Sequence, residues 1–396
     1  MNTGSIVSQS KAILNEVISW RRELHRIPEL GFELFKTSAF IQERLNELEI
    51  PYRVIAETGL VALIEGGKPG PTLAFRADMD ALPIKEDTGL PFASDNGNMH
   101  ACGHDAHAAM LLGAAKILNS NRSNLKGKVK LIFQPGEEGY GGAQRMIEEG
   151  CLDDPEVEAI YGLHVGQIFP EVGLGQVGIC PGTILAAATA FSVIVKGKST
   201  HGALPHLGVD SIITAAEIIT SLQKIVSREI DPLGTAVLTI GKIAGGEAIN
   251  IVTPRVEFSG DFRTITEETR GYITDRVKEI CTSVAIANRA EAEVEILGGY
   301  PPTVNHPALV KKVESVAGTI LGNENVVSIL KPNMGTEDMS LYLEKVPGAF
   351  FMLGTGNPEP GLNYPHHNSR FDLDESALWI GPALFTGLAV DYPGND

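Results

Sequence analysis

Apolar side chains in the first part of the chain fall three and four residues apart. In ILNEVISWRRELHRIPE this spacing predicts a helix that stops near Pro28, and TSAFIQERLNELEI predicts a second. The period then shortens. LVALIEG (60–66) and TLAFRAD (72–78) are apolar runs of strand length. HAAMLLGAAKIL (107–118) returns to the helical period, with Asp105 placed to cap it. KVKLIFQPG (128–136) and EAIYGLHV (158–165) read as strands again. The alternation predicts an α/β domain with a mostly parallel central sheet flanked by helices.

Near residue 185 the pattern changes. ATAFSVIVKG (188–197) reads as a strand and 209–229 as a helix, followed by strands at 235–243 and 250–263, a helix at 267–287 and a strand at 292–299. The order β-α-β-β-α-β is the ferredoxin-like pattern of a compact α+β unit. After it, HPALVKKVESVAGTIL (306–321), GAFFMLGTG (348–356) and a C-terminal helix in DESALWIGPALFTGLA resume the first character. The expectation is a discontinuous large domain, 1–184 and 300–396, with a small domain inserted at 185–299. A chain of 396 residues exceeds what one ordinary core supports, which agrees with two domains.

The formal charge of −17 argues against nucleic acid and anionic membrane surfaces as partners. No apolar run reaches the roughly 20 residues of a membrane span. The start, MNTGSIVSQSKAIL, does not read as a signal peptide. Cys102, Cys151, Cys180 and Cys281 are scattered without a CxxC pair, so a reducing cytoplasm is the expected setting rather than a disulfide framework.

The candidate chemistry lies at strand ends. Asp78 and Asp80 follow TLAF, Glu137 and Glu138 follow KVKLIF, His164 ends AIYGL, and His366 and His367 come a short loop after GAFFML. Cys102 and His104 precede a helix start in HACGHDAH. Sites in open α/β sheets form outside the carboxyl ends of strands. Taken singly, each residue has an ordinary reading. A lone histidine is more often structural, Glu137-Glu138 a solvated turn, Asp78 and Asp80 loop closers, Cys102 an inert thiol, and His100 and His107 structural. Together they match the needs of a two-metal hydrolase: a bridging thiolate from Cys102, imidazoles from His104, His164 and His367, paired carboxylates with one free to act as base, and Asp80 behind them orienting a ligand.

The series RRELHRIPELGFE, FRADMDALPI, MHACGHDAHAAMLLGAAKIL, FQPGEEGYGGA, LHV, GKSTHGALPHLGVD, GGEAINIVTP, GDFR, GTEDM and HHNSRFDLDE resembles, in order and over nearly the whole chain, the dinuclear-metal amidohydrolase and carboxypeptidase family. That family includes aminoacylases, hippurate hydrolases, N-acetyl-amino-acid deacetylases and plant auxin–amino-acid conjugate hydrolases. The resemblance implies Cys102, His104, Glu138, His164 and His367 as ligands of two divalent ions (zinc, manganese or cobalt) and Glu137 as general base. His367 is chosen over His366 because HNSRF fits the family's ending, with Ser369 where proline is usual; His366 stays a second candidate. The resemblance also implies that the inserted domain mediates dimerisation and closes over the active site. His201, acting across subunits, would polarise the scissile carbonyl. Asn250 and Arg263 would engage the substrate carboxylate, with Gly335 allowing close backbone approach. Alternatively Arg263 pairs with Asp261 or Glu257, and His201 and His206 are plain loop residues.

The leading expectation is hydrolysis of N-acyl-L-amino acids to a carboxylic acid and a free amino acid, by a homodimer or higher homo-oligomer. A dipeptidase or aminopeptidase on the same scaffold is the alternative. A non-catalytic metal-binding protein would lack part of the ligand set or the base. A Cys102 nucleophile would leave the paired glutamates without a role.

Overall fold

A computed structural model describes residues 1–357 and 363–392. The chain forms two compact units. The first comprises Met1–Ile184, Val304–Lys331 and Asp338–Asp396, and the second Leu185–Thr303 with Pro332–Glu337. Gly335 therefore belongs to the second unit, through a short excursion of the chain that hydrophobic periodicity does not reveal.

The first unit is built on an eight-stranded mixed sheet. In spatial order its strands are Tyr52–Ile55, Gly59–Glu65, Lys126–Gln134, Lys68–Asp78, Ala159–Gly166, Gly348–Gly354, Val177–Ile179 and Val326–Ser328. The four strands from Lys126–Gln134 to Gly348–Gly354 are mutually parallel, and antiparallel pairing is confined to the flanks. Phe75, Leu131, Phe133, Tyr161 and Phe351 on these strands are wholly buried, as expected for strands covered on both faces. The helices His104–Ser120 and Ile380–Asp391 are buried almost all round and pack against each other and the sheet. Among the described residues, no helix is long and apolar enough to cross a membrane.

The second unit is a four-stranded antiparallel sheet with the helices Ser211–Lys224 and Glu267–Ala287 packed on it. Its strand order, Ala236–Gly245, Arg255–Thr264, Ala187–Lys196, Glu291–Gly298, is that of a ferredoxin-like β-α-β-β-α-β unit. Burial alternates residue by residue along Ala187–Lys196, the period-two signature of a one-sided sheet. Asp210 caps the first helix by accepting from the Ile212 and Ile213 amides.

Three expectations change. The strand expected at 250–263 is two strands, because Pro254 has no amide to give a ladder; Ile251–Val252 pairs with Thr200–His201 instead. The helix expected through 229 ends its α-form at Lys224 and continues as one π-turn, Ile225–Glu229. Asp105 does not cap its helix. Gly103 occupies the cap position, and the Asp105 carboxylate turns inward to Arg21 (2.9 Å) and His25 (2.7 Å).

His25 carries a pH consequence. Burial opposes its charge, but hydrogen bonds to Asp105 and to Glu86 (3.2 Å) outweigh that and hold its pKa up at about 9. A raised folded pKa stabilises the fold below the unfolded value near 6.5, and that contribution is lost as pH rises through about 9. At about 1.4 kcal/mol per pKa unit, the contribution is on the order of 3 kcal/mol. Urea midpoints of the wild type are expected to fall across this window more steeply than those of His25→Gln. Parallel curves would show that His25 is not held protonated.

Candidate metal centre

At the C-terminal edge of the parallel strands of the first unit, five side chains bring ligand atoms together. The donor atoms of Cys102, His104 and His164 lie within 4.8 Å of one another, as do those of Cys102, Glu138 and His367. A third such group is His104, Glu137 and Glu138. Cys102 is common to the first two. Its Sγ is 3.5 Å from His164 Nε2.

Hydrogen bonds behind the histidines decide which nitrogen faces the cluster. His104 Nδ1 lies 2.9 Å from the Asp80 carbonyl oxygen, and His164 Nδ1 lies 2.7 Å from that of Val165. A carbonyl only accepts, so each Nδ1 carries the proton and each Nε2 presents its lone pair to the cluster. His104 Nε2 is buried and makes no hydrogen bond. Buried polar atoms are rarely left so, and an aimed, unpartnered imidazole lone pair beside a thiol and carboxylates is what a divalent cation needs. The residues fit a metal.

Asp80 organises the rest. Its Oδ1 accepts from the Glu137 amide (3.0 Å) and its Oδ2 from the Glu138 amide (3.1 Å), while its carbonyl fixes His104. It thus lies behind His104, Glu137 and Glu138. His107 has both nitrogens engaged: Nδ1 with Asp78 Oδ1 at 2.5 Å, and Nε2 with the Val165 amide at 2.9 Å. It is therefore structural, although its position beside His104 would admit it as a donor. Asp78, which the sequence left as metal-competent, spends its other oxygen on Arg76 at 2.6 Å.

His366 and His367 separate clearly. His366 Nε2 lies 3.0 Å from the Val165 carbonyl, and burial pushes its pKa down to about 4. His367 Nε2 lies 3.3 Å from Glu138 Oε1. Hydrogen bonding to Cys102 and then to Glu138 lifts its pKa to about 10. Its own amide donates to Ala101, one residue before Cys102. Burial, followed by the Glu138 charge, raises the Cys102 thiol; burial pushes His164 well down.

Two glycines permit this crowding. Gly103, at φ +86°, would put a Cβ 2.5 Å from Val165 Cγ2, and Gly166, at φ +109°, would put one 2.1 Å from His366 Nε2. Larger residues would separate Cys102 from His104, or displace the loop of His367.

The remaining candidates all lie on the second unit. His201 is exposed, and its Nδ1 accepts from the Ala203 amide at 3.0 Å, which leaves Nε2 as the protonated donor. Asn250 is exposed, and its carbonyl accepts from the Gly202 amide. Arg263 pairs with Asp261 at 3.1 Å and donates to the Met334 carbonyl at 2.7 Å. The Gly335 amide already donates to Asn333 Oδ1 at 2.7 Å. Sequence reasoning assigned no part to Arg21, His25 or Arg76. The RRELH and FRAD motifs were the available signal, but buried ion pairs with distant partners leave no local spacing to read.

The chain matches peptidase family M20/M25/M40 over residues 74–391. It is 42% identical to an N-acetyl-L-cysteine deacetylase of Bacillus subtilis, over 92% of this chain and 85% of that protein. It is 40% identical to IAA-amino acid hydrolase ILR1-like 2 of Arabidopsis thaliana, over 97% and 87%. Among solved structures, the Bacillus subtilis YXEP protein, a dinuclear metal binding peptidase of the M20 family, superposes with a TM-score of 0.82 at 34% identity, over 96% and 98%. The chain belongs to peptidase family M20/M25/M40 and is a hydrolase of that family's peptidase and amidohydrolase type.

Proposed function

We propose that this protein hydrolyses the linear amide bond of N-acyl-L-amino acids, using two divalent ions held by Cys102, His104, Glu138, His164 and His367. The observation that carries this reading is the convergence of those donor atoms, with His104 Nε2 buried and unpartnered among them. The deacetylase and IAA-amino acid hydrolase named above support an acylated amino acid as substrate class. Ions bound there would polarise the amide carbonyl and draw the pKa of water toward neutrality.

The chain's own residues supply the rest. Glu137, buried and anchored through its amide on Asp80, takes the proton of the attacking water and delivers it to the leaving amine. The partner subunit's His201 offers Nε2–H to the carbonyl oxygen as negative charge develops. Arg263, whose Nε and Nη1 already engage Asp261 and the Met334 carbonyl, holds the substrate carboxylate through Nη2 together with Asn250, and Gly335 allows close backbone approach. In this reading 1–184 with 300–396 is the catalytic domain, and 185–299 is the dimerisation and lid domain of a homodimer or larger homo-oligomer. Its four free cysteines suit a reducing cytoplasm. Zinc suits the thiolate and imidazoles, with manganese and cobalt as competent substitutes.

Three outcomes test this. Chelator-stripped protein refilled with zinc, manganese or cobalt is expected to release amino acid from N-acetyl-, N-benzoyl- or indole-acetyl-amino acids and not from free dipeptides. Activity on free dipeptides alone would move the protein to the peptidases, and activity indifferent to metal would reject the metal mechanism. Glu137→Gln is expected to bind metal normally and lose roughly 10²–10⁴-fold in kcat; full turnover would remove Glu137 as the base. His201→Ala is expected to lower kcat by roughly 10²–10³-fold with metal content unchanged, and an effect confined to KM would reassign it to binding.

A further inference from the structure

The RRELH motif places Arg21 and His25 one helical turn apart on the buried face of the helix Leu14–His25. The Arg21 side chain is 1% exposed, and three carboxylates divide its guanidinium among them. Nε binds Asp105 at 2.9 Å, Nη1 binds Glu375 at 2.9 Å and Nη2 binds Asp372 at 3.1 Å. The ring of Phe92 packs over it, with the guanidinium carbon 5.1 Å from the ring centre. Asp105 directly follows His104, whereas Asp372 and Glu375 lie in the C-terminal segment just beyond His367. One buried cation therefore ties the segment bearing Cys102 and His104 to the segment bearing His367.

One further link joins the same parts of the chain, and a second holds the His367 loop to the loop around Asp87. The His367 amide donates to Ala101, and the Asp87 amide donates to the Ser369 carbonyl. His367 has need of such anchoring. Its φ of +63° lies in the left-handed region, which a side chain other than glycine adopts at a cost, and its side chain is 52% exposed. Freed from its anchors, this loop would relax to an ordinary φ and carry the imidazole away from Cys102 and Glu138.

Stability alone does not account for this cluster. Apolar side chains of similar volume commonly replace a buried ion pair with no loss of stability. A planar guanidinium with three separately engaged nitrogens gives something apolar packing does not, namely a fixed distance between the segments it joins.

We propose that Arg21 is a positioning residue of the metal centre, clamping Asp105 to Asp372 and Glu375 so that His367 stays within reach of the ion it shares with Cys102 and Glu138. This rests on the reading of those residues as metal ligands. The clamp acts on geometry, so its loss weakens metal binding without removing any donor. Lysine at position 21 keeps the charge and offers only a point donor in place of the fork.

The test is a zinc titration of the stripped, full-length protein against a chromophoric chelator, repeated with manganese. Wild type is expected to bind two ions. Arg21→Lys and Arg21→Met are expected to retain one near wild-type affinity and to bind the other about ten- to hundred-fold more weakly. Asp372→Asn with Glu375→Gln leaves the Arg21–Asp105 pair intact and is expected to weaken the same ion, which keeps the proposal testable if the Arg21 variants do not fold. Leu45→Ala, in the buried core of the helix Phe35–Glu47, is the control for lost stability alone and is expected to leave both affinities unchanged. Unchanged affinities in the folded clamp variants, or an equal loss in Leu45→Ala, would overturn the clamp while leaving the metal centre standing. A wild type that binds no divalent ion would overturn the metal reading itself, and the clamp with it.

Discussion

The carboxylate of Asp80 is the contact on which the centre depends. Its two oxygens take the amides of Glu137 and Glu138, and its backbone carbonyl takes Nδ1 of His104. Two adjacent amides fixed on one carboxylate hold the turn so that Glu137 and Glu138 both bring a carboxylate oxygen to the neighbourhood of His104. A buried carboxylate is costly unless its lone pairs are filled, so these bonds satisfy Asp80 while they aim its neighbours. The same residue thereby relates a helix start, Cys102 to His104, to a strand end, Gln134 to Glu138.

Chemically identical side chains acquire different work from what stands behind them. His104 and His164 each give the Nδ1 proton to a carbonyl, which turns Nε2 toward the cluster. His107 is locked at both nitrogens, His366 is drawn to a backbone carbonyl, and His100 lies wholly buried, its pKa pushed down to about 3 chiefly by burial. Val165 does much of this sorting. Its carbonyl receives both His164 and His366, its amide donates to His107, and its side chain fills the space that Gly103 leaves open.

On the second unit, Pro254 breaks what reads as one long strand, and the piece it frees pairs Ile251 with His201. His201 therefore sits on a short two-stranded ribbon, with a local hydrogen bond choosing its tautomer.

The amino-acid sequence determined the succession of elements, since hydrophobic period is a local property that neighbouring residues carry among themselves. It also determined where the chemistry gathers: a parallel sheet brings its strand ends to one edge, and Asp78, Asp80, Glu137, Glu138 and His164 all follow or end strands legible from their apolar runs. Tertiary structure alone supplied the partners that hold His366 on the Val165 carbonyl and His367 beside Glu138, the locking of His107, the turn of Asp105 away from its helix cap, and the three-carboxylate grip of Arg21. Each of these depends on partners far along the chain, as with Arg21 and Glu375 at a separation of 354 residues. A side chain's spacing tells which face it lies on. Only the folded chain supplies the donor or acceptor opposite it, and in a buried site that partner sets the proton, the charge and the role.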